Sequence, residues 1–560
     1  MTTTAGPAGG TTTAISTGTT GETGTAGGAG PGTGPVLIAG AGPVGLVTAL
    51  LLARWQVPCI VLEAASRIDP SGSRAICFQR DVLDVLDRAG CAEAMVADGV
   101  TWTTGRTFYR EHELFTVTFP DQGAGALPPW INISQASAER YLLARAAAEP
   151  LIEIRYGHLV TGVSGHPDRV EVTATVAGAA VTLRGSYLVG ADGARSAVRR
   201  LLRIGFPGRS FADKFLICDI RADLPFPSER RFFFDPRWNP GRQVLVHQCP
   251  GSVWRIDWQV PAGFDLAGQR ACGALDARIR RITGRRPYEI VWATVYQFHE
   301  RVAERFAARR AFLAGDAAHL YAPFGARGLN SGIQDAENLA WKLACTCRGW
   351  SPPALLDSYE TERLAAAREN LKVTHTTMEF LVPQTARQAR HRAEVLASAV
   401  SDPAARRQID SGKLAEPFWY LDSPLTTAGH RPAGFPTEPG EARPPVPGVL
   451  CPDGPCRADG RQTRLRRLFG RGFVVLTGSA GRARQAGRVA AAAIDAPVAC
   501  YALGVIDTEG VLGAALRARA DSVHVVRPDG HLAAVLPHYD PAALTAALRR
   551  ATGAGPLAAL

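Results

Sequence analysis

An α/β fold is what this sequence predicts, and three observations carry that reading. Residues 35–40 ("PVLIAG") form a short apolar run that meets a glycine-rich turn and then a helical stretch, "AGPVGLVTALLLARWQ". Residues 185–202 ("GSYLVGADGARSAVRRLL") repeat the order of strand, turn and helix. Residues 311–335 ("AFLAGDAAHLYAPFGARGLNSGIQD") give it a third time, with an acid at the strand end and "LNSG" opening a long helix. Strands that alternate with helices in this way build a sheet covered on both faces.

Residues 1–34 are mostly Thr, Gly and Ala, with one acid, Glu22, and no base. They lack the positive start and apolar run of a signal peptide and bury too little to offset their ordering entropy. They read as a disordered tail or a mis-set start codon. The first junction then carries Gly40, Gly42 and Gly45. The first permits a tight turn, the second lets backbone approach a pyrophosphate, and the third allows close helix–strand packing. A helix N-terminus behind them offers free N–H groups and partial positive charge. The next strand, "CIVLEA", ends in Glu63, about 20 residues on, where an acid is placed to bond a ribose 2′-OH. This Rossmann-type pattern specifies a dinucleotide without separating FAD from NAD. At the second junction Asp192 and Gly193 occupy the turn, and at the third Asp316 follows Gly315.

Between 207 and 300 the texture changes to strands, among them "RQVLVHQCP", "VWRIDWQVP" and "YEIVWATVYQFHE". In the second, Trp254, Ile256 and Trp258 alternate with Arg255, Asp257 and Gln259, a half-buried strand of period two. Its aromatic face either lines a pocket for a flat substrate or packs a core. His247, Tyr296 and His299 are the candidate acid–base groups. Residues 401–445 are rich in Pro and Gly and read as a linker. Beyond them come "RGFVVLTG", an alanine-rich helix, "ALGVID", the hairpin pattern "VHVVRPDGHLAAVL" and a closing helix, "PAALTAALRRATG".

Bulk properties narrow the function. At 560 residues the chain has room for about three or four domains. The formal charge of +11 raises a nucleic-acid or membrane reading, but its basic runs carry few interleaved aromatics and read as solvated faces. We therefore expect no nucleic-acid partner, and with no long apolar run, no membrane span. The eleven cysteines form no Cys-x-x-Cys and read as unpaired thiols in a reducing cytoplasm. No His-x-x-x-His or comparable spacing calls for a metal.

With those residues in hand, the chain resembles the class A flavoprotein monooxygenases, the single-component aromatic hydroxylases of the 4-hydroxybenzoate and 3-(3-hydroxyphenyl)propionate hydroxylase type. "GAGPVG" with Glu63, "ADGARSAVR" and "AGDAAHLYAPFGARGLNSGIQDAENLAWKLA" carry the resemblance, which continues through "LLDSYETERLAAARENL". It implies FAD as cofactor, with Pro43 beside the glycine turn, Asp192 and Gly193 near the pyrophosphate and the NAD(P)H path, and Asp316 on the ribityl chain. It implies that the loop through Pro323, Gly328, Leu329 and Asn330 passes the pyrimidine edge of the flavin, with Arg327 where relatives carry a basic residue. Arg74 and Gln135 match positions beside FAD. NAD(P)H, NADPH favoured, would reduce the flavin, and O₂ would form a C4a-hydroperoxide that oxygenates a small aromatic or polycyclic phenol.

The resemblance divides the chain into an FAD-binding domain over 35–206 and 301–400, an inserted β-sheet substrate domain over 207–300, the linker, and a thioredoxin-like α/β domain over 446–560. Without Cys-x-x-Cys the last is expected to pack or to support a homodimer. Baeyer–Villiger-type oxygen insertion or ring rearrangement is the alternative on the same fold. Flavin-dependent halogenation is the minor one, since "IDWQVP" keeps only one tryptophan of the halogenase stretch.

Overall fold

The computed structural model describes residues 34–67, 75–120, 122–429, 431–432 and 441–555. The expected tail, apart from Gly34, lies outside them, as does Arg74. Strand β1 (Val36–Ala39) is buried along its whole length, as a central parallel strand covered on both faces must be. At its end Gly40 takes φ +99°, and a Cβ there would lie 2.5 Å from the Ala191 carbonyl oxygen, so only glycine makes this turn. Helix α1 (Pro43–Arg54) opens on proline, whose fixed φ suits a first helical position. Strand β2 (Cys59–Leu62) pairs parallel to β1. The hairpin β3 (Thr104–Tyr109) and β4 (His112–Thr118) comes next. Helix α2 (Gln135–Ala147) follows, its start capped by Ser134 Oγ, which accepts the Ser137 N–H. Strands β5 (Ile152–Arg155) and β6 (Leu188–Gly190) and the short helix α3 (Ala197–Leu201) complete the first part.

The second unit contains β7 (Gly208–Ala222), β8 (Arg230–Phe234), β9 (Val244–Cys249), β10 (Val253–Val260), helix α4 (Ala274–Thr283) and β11 (Tyr288–Val302). Strand β12 (Ala311–Leu313) then returns the chain to the first sheet, and the long helices α5 (Arg327–Cys347) and α6 (Asp357–Leu381) follow. In that first sheet β12, β6, β1, β2 and β5 lie side by side and parallel. Helix α5 crosses close to α1 and to the loop after β12. A Cβ on Gly332 would stand 2.7 Å from Val44 Cγ2 and 3.1 Å from the Gly315 Cα, so glycine sets the approach.

The second sheet has eight strands, in the order 319–320, β11, β7, β10, β9, β8, β3, β4. Its far edge differs from expectation. β3 and β4 come from residues 104–118, within the stretch assigned to the FAD-binding domain, and β3 joins β8 in parallel with Thr107 opposite Phe232. A pairing between segments so far apart in sequence leaves no local pattern to read.

The C-terminal unit holds β13 (Phe473–Thr477), α7 (Ala480–Ala493), β14 (Val498–Ala502), β15 (Val523–Val526), β16 (Leu532–Leu536) and α8 (Pro541–Ala551). Its sheet runs β14, β13, β15, β16, with β13 and β14 parallel and the remaining pairs antiparallel. It docks on α5, where Trp341 donates its indole N–H to Asp529 at 3.1 Å and meets Phe473 edge-on.

The stretch expected as a linker is a packed segment where it is described. Trp419 and Tyr420 are buried, the Ala415 N–H donates to the Gly325 carbonyl at 2.8 Å, and Arg327 donates to the Lys413 carbonyl at 2.9 Å. Pro and Gly composition signals irregular backbone, and irregular backbone can be buried once its polar groups are bonded. All eleven cysteines are unpaired and most are buried. Among the described residues no helix is long and apolar enough to cross a membrane, and no group of three or more His, Cys, Asp or Glu is placed to hold a metal.

Candidate active site

The ends of β1, β6 and β12 all open at one edge of the parallel sheet, and a cavity of about 410 Å³ lies there beneath the second sheet. Ligands of open α/β sheets bind outside the carboxyl ends of the strands for this reason: helix starts and loop N–H groups converge there. Three loops bring bare backbone to the space. A Cβ built on Gly42, Gly193 or Gly328 would meet nothing within 4 Å, and all three glycines line the cavity. Gly40 and Gly45 act differently, as packing glycines: a Cβ on Gly45 would stand 2.0 Å from the Gly40 carbonyl oxygen.

Helix α5 points its first turn into the same space. Ala326, before it, takes the left-handed φ of 55°, and no side chain caps the helix. N–H groups of its first turn, that of Leu329 included, therefore lack partners within the helix and favour negative charge in front of them. Asn330 lines the cavity, but its side chain is committed: Oδ1 accepts the Gln79 N–H at 3.2 Å and Nδ2 donates to the Cys77 carbonyl at 3.0 Å. Arg327 bonds Asn370 and the Lys413 carbonyl, so it is buried rather than solvated, and that burial pushes its guanidinium down to about 10.

The other expected residues fall around this frame. Pro43, Asp316 and Pro323 line the cavity, as does Gln135, whose Oε1 accepts the Ala75 N–H at 3.3 Å. Gly315 takes φ +61° with Val44 beside it. Glu63 accepts the Ala41 N–H at 2.9 Å, so the acid sits against the glycine turn. Asp192 turns into the start of α3, where it accepts the Ser196 hydroxyl and the Val198 N–H.

One acid of this site went unread in the sequence. Asp335 is fully buried on α5 and accepts the Gly315 N–H at 3.0 Å, the His319 ring N–H at 2.7 Å and the Arg363 Nε–H at 2.6 Å. Burial alone would raise its carboxyl, but His319 and Arg363 together hold it below the usual range. It fixes the loop carrying Asp316 from behind. The available signal was the spacing of Ser331, Asp335, Asn338 and Lys342, which puts a polar stripe on one face of a long helix whose other buried residues are largely apolar.

The roof decides between the two readings of β10 in favour of core packing. Trp254, Ile256 and Trp258 face away from the cavity and pack with Leu275 and Ile279 of α4. Arg255 and Asp257 face into it. The strand is covered on both sides, and the helix-packed side takes the large apolar residues, with Trp254 donating its indole N–H to the Ala222 carbonyl at 3.1 Å. Phe215 and Ile217 of β7, Leu245 of β9 and Phe298 of β11 supply apolar surface to the roof. Arg255 is bidentate to Asp219, both bonds 2.7 Å. Of the candidate acid–base groups, Tyr296 and His299 line the cavity, and His299 Nδ1 meets Ser210 Oγ at 2.7 Å. His247 also lines it, but burial, with Arg230 and Arg255 nearby, pushes its ring down to about 3. At neutral pH it is a neutral imidazole and a weak proton acceptor.

Comparison with known proteins agrees with this geometry. Residues 33–374 match a family described as FAD binding domain, and residues 444–555 one described as aromatic-ring hydroxylase, C-terminal. A flavin-dependent monooxygenase of Mycobacteroides abscessus is 33% identical over 348 residues, 59% of this chain and 71% of that one. A 3-(3-hydroxy-phenyl)propionate/3-hydroxycinnamic acid hydroxylase of Mycobacterium sp. is 31% identical over 378 residues, 67% of this chain and 64% of that one. Among solved structures, the ternary complex of aklavinone-11 hydroxylase with FAD and aklavinone superposes with a TM-score of 0.76 at 26% identity, covering 94% of this chain and 100% of that one.

Proposed function

Because the chain belongs to the FAD-binding family of flavin-dependent monooxygenases, we propose that it hydroxylates a phenolic or polyketide-type aromatic ring, with NADPH as the favoured reductant and O₂ as the oxidant. The observation that carries the reading is the convergence of three open glycine backbones and an uncapped helix start on one cavity roofed by a sheet. When bound, FAD supplies the redox chemistry and the activation of oxygen.

The residues have separate tasks. Gly42 and Gly193 leave room for the pyrophosphate, with Pro43 beside it. Asp316 is placed for the ribityl hydroxyls and Gln135 for the neighbouring wall. The first turn of α5, at Gly328 and Leu329, stabilises negative charge at the pyrimidine edge, worth roughly 0.3–1 kcal/mol at exposure and up to about 2 when partly buried. Asp335 holds the Gly315 loop in register with that helix. The apolar part of the roof excludes water and presses a flat ring into place, which lowers the entropic cost of reaction.

The strand order of the C-terminal unit supports the thioredoxin-like reading, and its contacts with α5 support a packing role. Unpaired thiols throughout the chain fit a reducing cytoplasm. The test is direct. The purified protein should be yellow, and a phenol should accelerate its NADPH oxidation and gain one oxygen atom by mass. A colourless protein that takes up no FAD would refute the proposal.

A further inference from the structure

Along the cavity face of β10 every polar side chain but one has a protein partner. Arg255 is closed by Asp219. Gln259 donates to Asp213 at 2.6 Å and accepts the Gln243 N–H. Between them stands Asp257, with apolar Leu245 opposite on β9 and apolar Ile217 opposite on β7. Its Oδ1 is buried without any hydrogen-bond partner, although it lines the cavity. Gln243 repeats the pattern one step diagonally across the sheet. It is 1% exposed, lines the same cavity, and neither Oε1 nor Nε2 has a partner. A buried acceptor and a buried amide without partners cost free energy unless something in the cavity bonds them.

We infer that Asp257 accepts a hydroxyl group of the substrate while the Gln243 amide holds a neighbouring carbonyl or hydroxyl, so that the substrate is a neutral hydroxylated or quinone-type ring rather than one recognised through a carboxylate. The inference rests on the hydroxylase reading. The roof offers a carboxylate no free cation, since the guanidinium of Arg255 is already committed to Asp219, and Asp257 would repel it. The same residue is placed to act on the substrate. The phenolic O–H bond breaks, the proton passes to Asp257, and the electron pair stays on the ring oxygen, enriching the carbons ortho and para to it. The proton returns to that oxygen when the hydroxylated ring loses its own C–H proton to solvent and regains aromaticity.

Titration is consistent with this use. Burial raises the Asp257 carboxyl to about 7, Arg255 opposes the rise and Asp219 adds to it. The other titratable groups lining the cavity are His247 on β9, Tyr296 and His299 on β11, Cys77, Glu139 on α2, Asp316, Tyr321 and Arg327 at the start of α5. A carboxylate binds a hydroxyl more strongly than a carboxylic acid does, so binding of a hydroxylated ring should strengthen as pH rises through about 7.

Three probes test it on the holoenzyme: naphthol, methoxynaphthalene and naphthoate, followed by perturbation of the flavin spectrum and by calorimetry. Naphthol should bind about tenfold or more tightly than the other two. Asp257→Leu should erase the preference for naphthol over methoxynaphthalene, and Asp257→Asn should remove the rise of naphthol binding with pH. Wild-type protein that shows no preference for naphthol, or variants that keep both properties, would overturn the inference. A yellow enzyme that favours naphthoate and oxygenates only carboxylate-bearing phenols would overturn it while leaving the hydroxylase reading intact. Protein that never takes up flavin would remove both.

Discussion

Arg527 of the C-terminal unit is bidentate to Glu362 of α6, its Nη2 donating to Oε2 at 2.9 Å, and neither side chain is exposed at all. The pair sits in a wider buried group: Lys342 of α5 donates to Glu362 at 2.7 Å, and Arg527 also bonds Asp529. One guanidinium thus ties the C-terminal unit to α6, and through Glu362 to α5.

Replacing that guanidinium with an apolar chain of similar length should be severe. Arg527→Met leaves Glu362 and Asp529 buried beside a single ammonium, and breaking a buried pair from one side costs about 3–5 kcal/mol. Denaturant titration should show the loss as a lower midpoint.

Acid should act through the same place. Burial would raise the Glu362 carboxyl, but Arg527 and Lys342 overcome it and hold the group well below the usual carboxylate range. A depressed folded value means the contribution to stability is present above the unfolded value of 4.5 and is lost as pH falls through and below it. Asp335 has the same sign. Lys342, which burial pushes down to about 8, titrates on the alkaline side and takes no part in the acid limb. Thermal midpoints measured from pH 7 downward should therefore drop most steeply below about pH 5, and a flat profile there would contradict the assignment.

The two kinds of glycine in the first turn should separate cleanly. Gly42→Ala adds a Cβ to open space at φ −72°. Stability of the flavin-free protein should stay within about 0.5 kcal/mol, while flavin retention through gel filtration falls. Gly45→Ala places a Cβ 2.0 Å from a carbonyl oxygen and should lower the stability of the flavin-free protein itself.

Asp316 and Asp335 should separate in a similar way. Asp316→Ala should weaken FAD retention with little change in the melting of flavin-free protein. Asp335→Asn removes the charge that His319 and Arg363 face. It should reduce stability and weaken FAD about tenfold together, since charge-assisted bonds of this kind contribute roughly 1.5–3 kcal/mol each. Flavin fluorescence on dilution and a denaturation curve read the two effects side by side.

The chemistry of local turns was readable from the chain. Gly40, Gly42 and Gly45, the Asp192 junction and the run from Gly315 to Asn330 all sit where strand and helix patterns put them, because each belongs to a strand, turn and helix that are continuous in sequence. What escaped depends on distant neighbours. Alternation in β10 shows that the strand has two faces, but only the presence of α4 decides that Trp254 and Trp258 turn from the cavity and Asp257 toward it. The edge strands β3 and β4 and the burial of Trp419 belong to the same category, as does the clamp at Asp335.

The segment after α6 bears on how this enzyme can be recombined. A Cβ on Gly325 would lie 2.0 Å from the Lys413 carbonyl oxygen, and Ala415 and Lys413 brace the loop and the arginine that begin α5. The loop that opens α5 at the candidate site is therefore completed by residues that follow α6 in the chain. A chimera that exchanges the C-terminal half with a relative must place its crossover beyond about residue 420 or bring both sides of that contact from the same parent.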